Sequence, residues 1–154
     1  FLRPIIEQVL SDRPQARFEV FADRRASTIW QGLGRVQIRT PLPWMEYLAD
    51  ADGRHIDIML VPLAPSHVND SRAPTKRIDI ARYQAAAVFS EGAAYGLSDE
   101  YGELRLPYDA TEWRKSILQL IDDVKLRRRL AGATREAVLQ MTLSASTGLD
   151  ALKV

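Results

Sequence analysis

The octapeptide IDIMLVPL, Ile56 to Leu63, restricts the fold of this chain more than any other stretch. It belongs to the longest apolar run, Ile56 to Ala64, which only Asp57 interrupts and which falls far short of the ~20 residues that span a bilayer. A short run of that kind is the signature of a strand buried on both faces of a parallel sheet. Around it, helical and strand periodicities alternate. Leu2, Ile5, Ile6, Val9 and Leu10 recur at helical spacing until Pro14 stops them. A strand is expected over 17–22 (RFEVFA), a short helix over 26–33, and a second strand over 35–39 (RVQIR). Pro41 and Pro43 introduce a helix through Trp44, Tyr47 and Leu48 that closes near Asp50 to Gly53.

After the apolar strand comes a polar loop, HVNDS, and a helix expected over 72–84. AAAVFS (85–90) is the next strand, 91–102 a glycine-containing loop, and ELRL (103–106) the last strand. Two amphipathic helices finish the chain, one lined by Trp113 to Val124 and the other by Leu126 to Met141. The alternation predicts an α/β fold, a doubly wound and mostly parallel sheet, in one domain over 1–154.

Composition excludes several functions. With 154 residues, 46% of them hydrophobic, the chain can build one real core. Its 21 basic and 20 acidic residues leave a net charge of +1, which argues against nucleic acid as a partner. The absence of cysteine excludes disulfides, thiolate metal sites and thiol catalysis. No GxGxxG turn, GxxxxGK[ST] loop, HExxH helix or GxSxG elbow occurs, so neither a metal nor a cofactor is expected. The chain runs from Phe1 straight into FLRPIIEQVL with no cleavable leader, so a soluble piece of a longer protein is expected.

In open parallel sheets, ligands gather where strands end and helices begin. The loop after IDIMLVPL holds Asn69, Asp70, Ser71 and Arg72, followed by Lys76 and Asp79. Arg72, Lys76 and Asp79 are spaced to share one helix face, with Ser71 or Asp70 as a candidate cap. Free N–H groups at such a helix start, with an Arg and a Lys, suit a phosphate or diphosphate, and Asp79 suits a sugar diol. The plainer alternative is a solvated ion-pair stripe. Lys125, Arg127, Arg128 and Arg129 read as the wet face of a helix or as a contact with anionic lipid, and Trp30, Trp44 and Trp113 as core.

These residues carry a resemblance. The stretch V-N-D-S-R-A-P-T-K-R-I-D followed by AAAVFS is similar to the F-N-x-x-K-S-x-x-K-x-x-E pattern and small-residue strand of group-1 retaining glycosyltransferases of the GT-B fold. The segment YGELRLPYDATEWRKSILQLIDDVKLRRRLAGATREAV resembles the closing part of their C-terminal, donor-binding domain. Asn69 and Lys76 match; Arg72 replaces a Lys, Ala73 stands where Ser is common, and Asp79 replaces the ribose-holding Glu with a reach about 1.5 Å shorter. Ser71 occupies the place of the first Glu of the family's E-x7-E motif.

The resemblance implies one Rossmann-like half of a two-domain enzyme that transfers a sugar from a nucleotide-diphosphate sugar, in bacterial surface or capsular polysaccharide synthesis. It implies Asn69, Ser71, Arg72, Lys76 and Asp79 as substrate-binding residues, no catalytic residue in this half, and an acceptor-binding N-terminal domain and an opening strand upstream of Phe1. It also implies a cytoplasmic location with peripheral contact at the inner membrane. The competing classes are a non-catalytic flavodoxin-like interaction module and a degenerate transferase domain.

Overall fold

The computed structural model describes residues 1–96 and 101–151, with side chains as far as 145. Helix α1 (Leu2–Asp12) buries Ile5, Ile6, Val9 and Leu10, the stripe its spacing foretells. The chain then enters β1 (Phe18–Phe21), which pairs in parallel with β2 (Val36–Arg39) from Phe18 opposite Val36 to Phe21 opposite Arg39. The short helix α2 (Arg24–Ser27) and a 3₁₀ turn (Thr28–Trp30) connect them. Helix α3 (Trp44–Asp52) leads to β3 (Ile58–Val61). After α4 (His67–Asp70) and α5 (Lys76–Tyr83) come β4 (Ala86–Ser90) and β5 (Leu104–Leu106). Helices α6 (Ala110–Asp122) and α7 (Val124–Ala151) end the fold.

The architecture is α/β with parallel strands, as the alternation predicts. The strands form two small sheets rather than one, β1–β2 and β3–β4–β5. Helices cover both faces of the second sheet. Ala86 and Val88 of β4 point into a cluster with α1, α6, Trp30 and Leu130, whereas Ala87 and Phe89 point into a cluster with α3, α5 and Tyr95. All five residues of β4 are buried, which makes it the central wall of the molecule.

Arg35 fastens α1 to the first sheet. It adopts φ 61°, a left-handed conformation, and its Nη1 donates to the carbonyls of Arg13 (3.1 Å), Pro14 (2.9 Å) and Ala16 (3.2 Å), while its Nη2 donates to Leu10 O. One guanidinium thus answers carbonyls in the last turn of a helix and just beyond it, where a cation is favoured.

Four expectations need correction. The short helix begins at Arg24 because the Asp23 carboxylate accepts from the amides of Arg25 (2.9 Å) and Ala26 (2.8 Å) and so fixes the start. The polar loop at 67–71 contains a turn of helix, α4, capped by Ser66 on the Asn69 amide, and the next helix starts at Lys76 instead of 72. Ala73 precedes Pro74 and is therefore steered away from helical geometry, which breaks the run in two. Trp44 is 64% exposed and stacks on Tyr47, unlike the buried Trp30 and Trp113, because it opens α3 on the solvent side. The last helix, whose expected lining residues extend to Met141, runs on to Ala151, which is no departure from that reading. Within the loop expected at 91–102, Gly92 and Gly96 form a bridge, and residues 97–100 lie outside the described residues.

Candidate functional site

The candidate site sits at the carboxyl ends of β3 and β4, the edge where parallel folds collect ligands. The loop from Leu63 leads into α4, and a compact turn, Ser90 to Gly96, follows β4. Ser90 joins the two: its Oγ accepts a hydrogen bond from the Leu63 amide at 2.8 Å, locking the end of β3 to the end of β4. The turn after β4 closes through Gly96, at φ 84°, which a side chain would strain. Between these loops lies a cleft lined by Pro65, Asn69, Asp70, Ser90, Gly92 and Tyr95, with a volume of only about 10 Å³. That is room for about one water molecule.

The five expected binding residues fall into three groups. Asn69 is half-buried and donates through Nδ2 to Ala64 O at 2.7 Å, while its Oδ1 accepts from Arg72 Nε at 2.9 Å. It holds the loop and aims the arginine. Ser71 lies at the end of α4, where its Oγ donates to His67 O at 2.9 Å. It therefore caps neither end of α5 and is turned toward its own turn. Lys76 and Asp79 form the third group, with Nζ 3.0 Å from Oδ2.

Arg72 does not share a helix face with Lys76 and Asp79, because α5 begins only at Lys76. The start of α5 is also a weaker anion cradle than expected. The amides of Arg77 and Ile78 already donate to Pro74 O (3.1 Å) and Thr75 O (3.0 Å), and Thr75 supplies no side-chain cap.

Electrostatics nevertheless draws these groups toward one another. Burial raises the Tyr95 hydroxyl pKa above its ordinary value; the positive charges of Arg77 and Arg72 oppose that rise and the negative charge of Asp79 adds to it. Burial also raises that of Tyr47, and a hydrogen bond to Asp79 raises it further. Asp79, one-fifth exposed, thus faces Lys76 on one side and the Tyr47 hydroxyl on the other. Arg72 keeps its outer nitrogens without a hydrogen-bond partner among the described residues, and Lys76 is 60% exposed. Of the three charges, Arg72 stands next to the cleft through Asn69, and Lys76 and Asp79 pair with each other on α5.

Sequence reasoning missed the support beneath this edge. Arg77 donates from Nε to Glu103 Oε1 at 3.0 Å, and from Nη2 to Glu103 Oε2 at 2.7 Å and to Tyr95 O at 2.9 Å. Arg105 adds a bond from Nη2 to Glu103 Oε2 at 3.0 Å, and the Glu103 carboxylate is wholly buried. The network pins the turn after β4 to α5 and β5. Its only sequence signal is an Arg inside an otherwise solvated helix and a Glu at a strand start, 26 positions apart. Of the basic cluster near the C-terminus, Arg127 is half-buried on Leu120 O and Ile121 O and so is not part of a wet face, and Arg129 donates to Gly102 O.

No family model matches the chain, and no curated protein is significantly similar to it. Among the described residues, no helix is long and apolar enough to cross a membrane.

Proposed function

We propose that this chain is the donor-binding domain of a retaining glycosyltransferase, one Rossmann-like half of a GT-B enzyme that moves a sugar from a nucleotide-diphosphate sugar to an acceptor. One observation carries the reading. Arg72, Lys76 and Asp79, the residues that resemble the family's basic and acidic motif positions, follow the carboxyl end of β3 in the chain, and Arg72 is held by Asn69, which lines the cleft beside the glycine turn. In this role Arg72 and Lys76 offset the charge that develops on the leaving diphosphate, the use to which fixed cations are put at a developing anion. Asp79 accepts from the ribose diol once Lys76 turns from it to phosphate, and Asn69 holds Arg72 in place. Ser71 faces the phosphate or sugar after giving up His67 O. The domain supplies no general base; the acceptor and the rest of the chemistry come from a second domain. The setting that fits is cytoplasmic polysaccharide assembly at the inner membrane, with the exposed cations of α7 meeting anionic lipid.

A second reading, a degenerate or non-catalytic module, is favoured by one feature: the cleft of about 10 Å³ is not shaped to a nucleotide in advance. Ligand pockets of enzymes run to roughly 300–1,000 Å³. Calorimetry with UDP, GDP and their sugars separates the two readings. Binding that Lys76→Ala and Asp79→Ala weaken at least about tenfold, roughly 1.4 kcal/mol each, supports the donor domain. Absence of binding at millimolar nucleotide, with both variants of the full-length protein fully active, refutes it.

A further inference from the structure

The two sheets face each other across a cavity of about 1140 Å³, walled by β1 (Phe18–Phe21) and by Ile58–Leu60 of β3, with α1 lying along it. The space is a groove half open at its mouth, and among the described residues both of its walls are strand edges with unpaired backbone groups, which folded proteins cover or pair. Its walls say what fits there. In a parallel pair, the N–H and C=O of one residue point to one side and those of the next residue to the other. On β1, the Phe18 amide donates to Arg35 O at 3.0 Å and the Ala22 amide to Arg39 O at 2.9 Å, so the alternate residues Glu19 and Phe21 aim their backbone groups into the cavity. On β3, Asp57 O accepts from the Ala86 amide at 3.0 Å, so Ile58 and Leu60 aim theirs into it from the other wall. These four residues have no backbone hydrogen-bond partner among the described residues on that side.

Side-chain pattern points the same way. The outermost strands β2 (VQIR) and β5 (LRL) alternate apolar with polar residues, as strands at the rim of a sheet do. By contrast β3 (IMLV) is apolar on both faces, the pattern of an inner strand, yet its first three residues are only half-buried, while β4 is buried throughout. Size agrees as well. A strand in a sheet fills a slab ~4.8 Å wide and ~10 Å deep and advances ~3.3 Å per residue, so 1140 Å³ accommodates roughly seven residues. Connectivity supplies the source: α1 borders the cavity and hands the chain on to β1, so a strand leading into α1 completes one more parallel β–α–β crossover of the kind found at β1–β2 and β3–β4.

We propose that the cavity is the seat of a further β-strand, parallel to both neighbours and provided by polypeptide that runs directly into α1 at Phe1, so that the two sheets become one with the order β2–β1–new strand–β3–β4–β5. The strand is apolar on the face it turns to α1 and to the α6 residues Ile117 and Ile121, which border the groove from one side. The inference does not depend on the donor-domain reading and stands if no nucleotide binds.

The experiment is amide hydrogen exchange by NMR on the full-length gene product, followed by cross-strand contacts measured at the same residues. The expected result is protection of the Glu19, Phe21, Ile58 and Leu60 amides roughly 100-fold beyond that in the 154-residue chain, with cross-strand contacts from residues preceding Phe1 to both Phe21 and Leu60. If the short chain does not fold, the contacts in the longer one decide alone. Four unprotected amides, protection that depends on protein concentration and so reports a second copy, or a reading frame with nothing ahead of Phe1 would each overturn the proposal.

Discussion

Glu103→Ala removes the one acceptor that two buried guanidinium groups share. The carboxylate is fully buried, the side chains of Arg77 and Arg105 are each 7% exposed, and the three are joined by bonds of 2.7–3.2 Å. Taking one partner from a buried ion cluster costs about 3–5 kcal/mol, because the charges left behind cannot reach water. At roughly 2–4 °C per kcal/mol for a chain of this size, the melting temperature falls by roughly 6–20 °C. That is a large share of a stability that is about 5–15 kcal/mol for ordinary domains. Arg105 provides the contrast. Its Nε and Nη1 are buried with no partner among the described residues, so Arg105→Met loses one charged bond but also relieves two desolvated donors. These terms are similar in size and opposite in sign, and the variant stays within about 1 kcal/mol of the parent. Thermal melts and urea titrations of the three proteins make the comparison. A Glu103→Ala protein melting within about 2 °C of the parent, or an Arg105→Met protein as unstable as Glu103→Ala, refutes the reasoning.

Further outcomes follow from other contacts. Arg35→Ala, which takes the guanidinium from four carbonyls in the last turn of α1 and just beyond it, costs about 1–3 kcal/mol in chemical denaturation, and Arg35→Lys restores only part of it. Lys76→Ala changes stability by less than about 0.5 kcal/mol, because its partner Asp79 sits one turn away and the lysine is largely in water. The Tyr47 phenol is raised above its usual pKa of 10, so the folded state holds that proton when the unfolded chain has already lost it. Stability from this group is complete below pH 10 and falls as pH rises beyond it; alkaline melts of Tyr47→Phe lack that part of the decline. Ultraviolet titration of Asp79→Asn tests the contact itself, with the Tyr47 transition moving down toward its ordinary value.

Local order was legible wherever the periodicity was strong. Helices α1 and α6 and strands β1 to β5 lie within a few residues of where Ile5–Leu10, Trp113–Leu120 and the short apolar runs place them. Breaks set by single residues were harder. Ala73 before Pro74 splits an otherwise plausible helix in two, and that split separates Arg72 from the face of Lys76 and Asp79. The spacing of the three residues was read correctly while the backbone between them was not. Partners distant in the chain left no trace at all. Nothing near Arg77 announces Glu103, and nothing near Arg35 announces the end of α1, because an ion pair or a cap leaves no period to read. Trp44 shows the reverse error, where a large apolar side chain suggests core although its helix position faces water.

Strand β4 has a consequence for how the molecule comes apart. Ala86 and Val88 belong to one apolar cluster and Ala87 and Phe89 to the other, so neither cluster can open without uncovering a wall of its neighbour. The two cores therefore unfold as one cooperative unit. Among the described residues the β1–β2 ribbon shares no ladder hydrogen bonds with that unit and is joined to it through side chains, with Phe18, Val20 and Val36 packed on the first cluster, so its opening frays the rim of that cluster and leaves the β3–β4–β5 ladder paired.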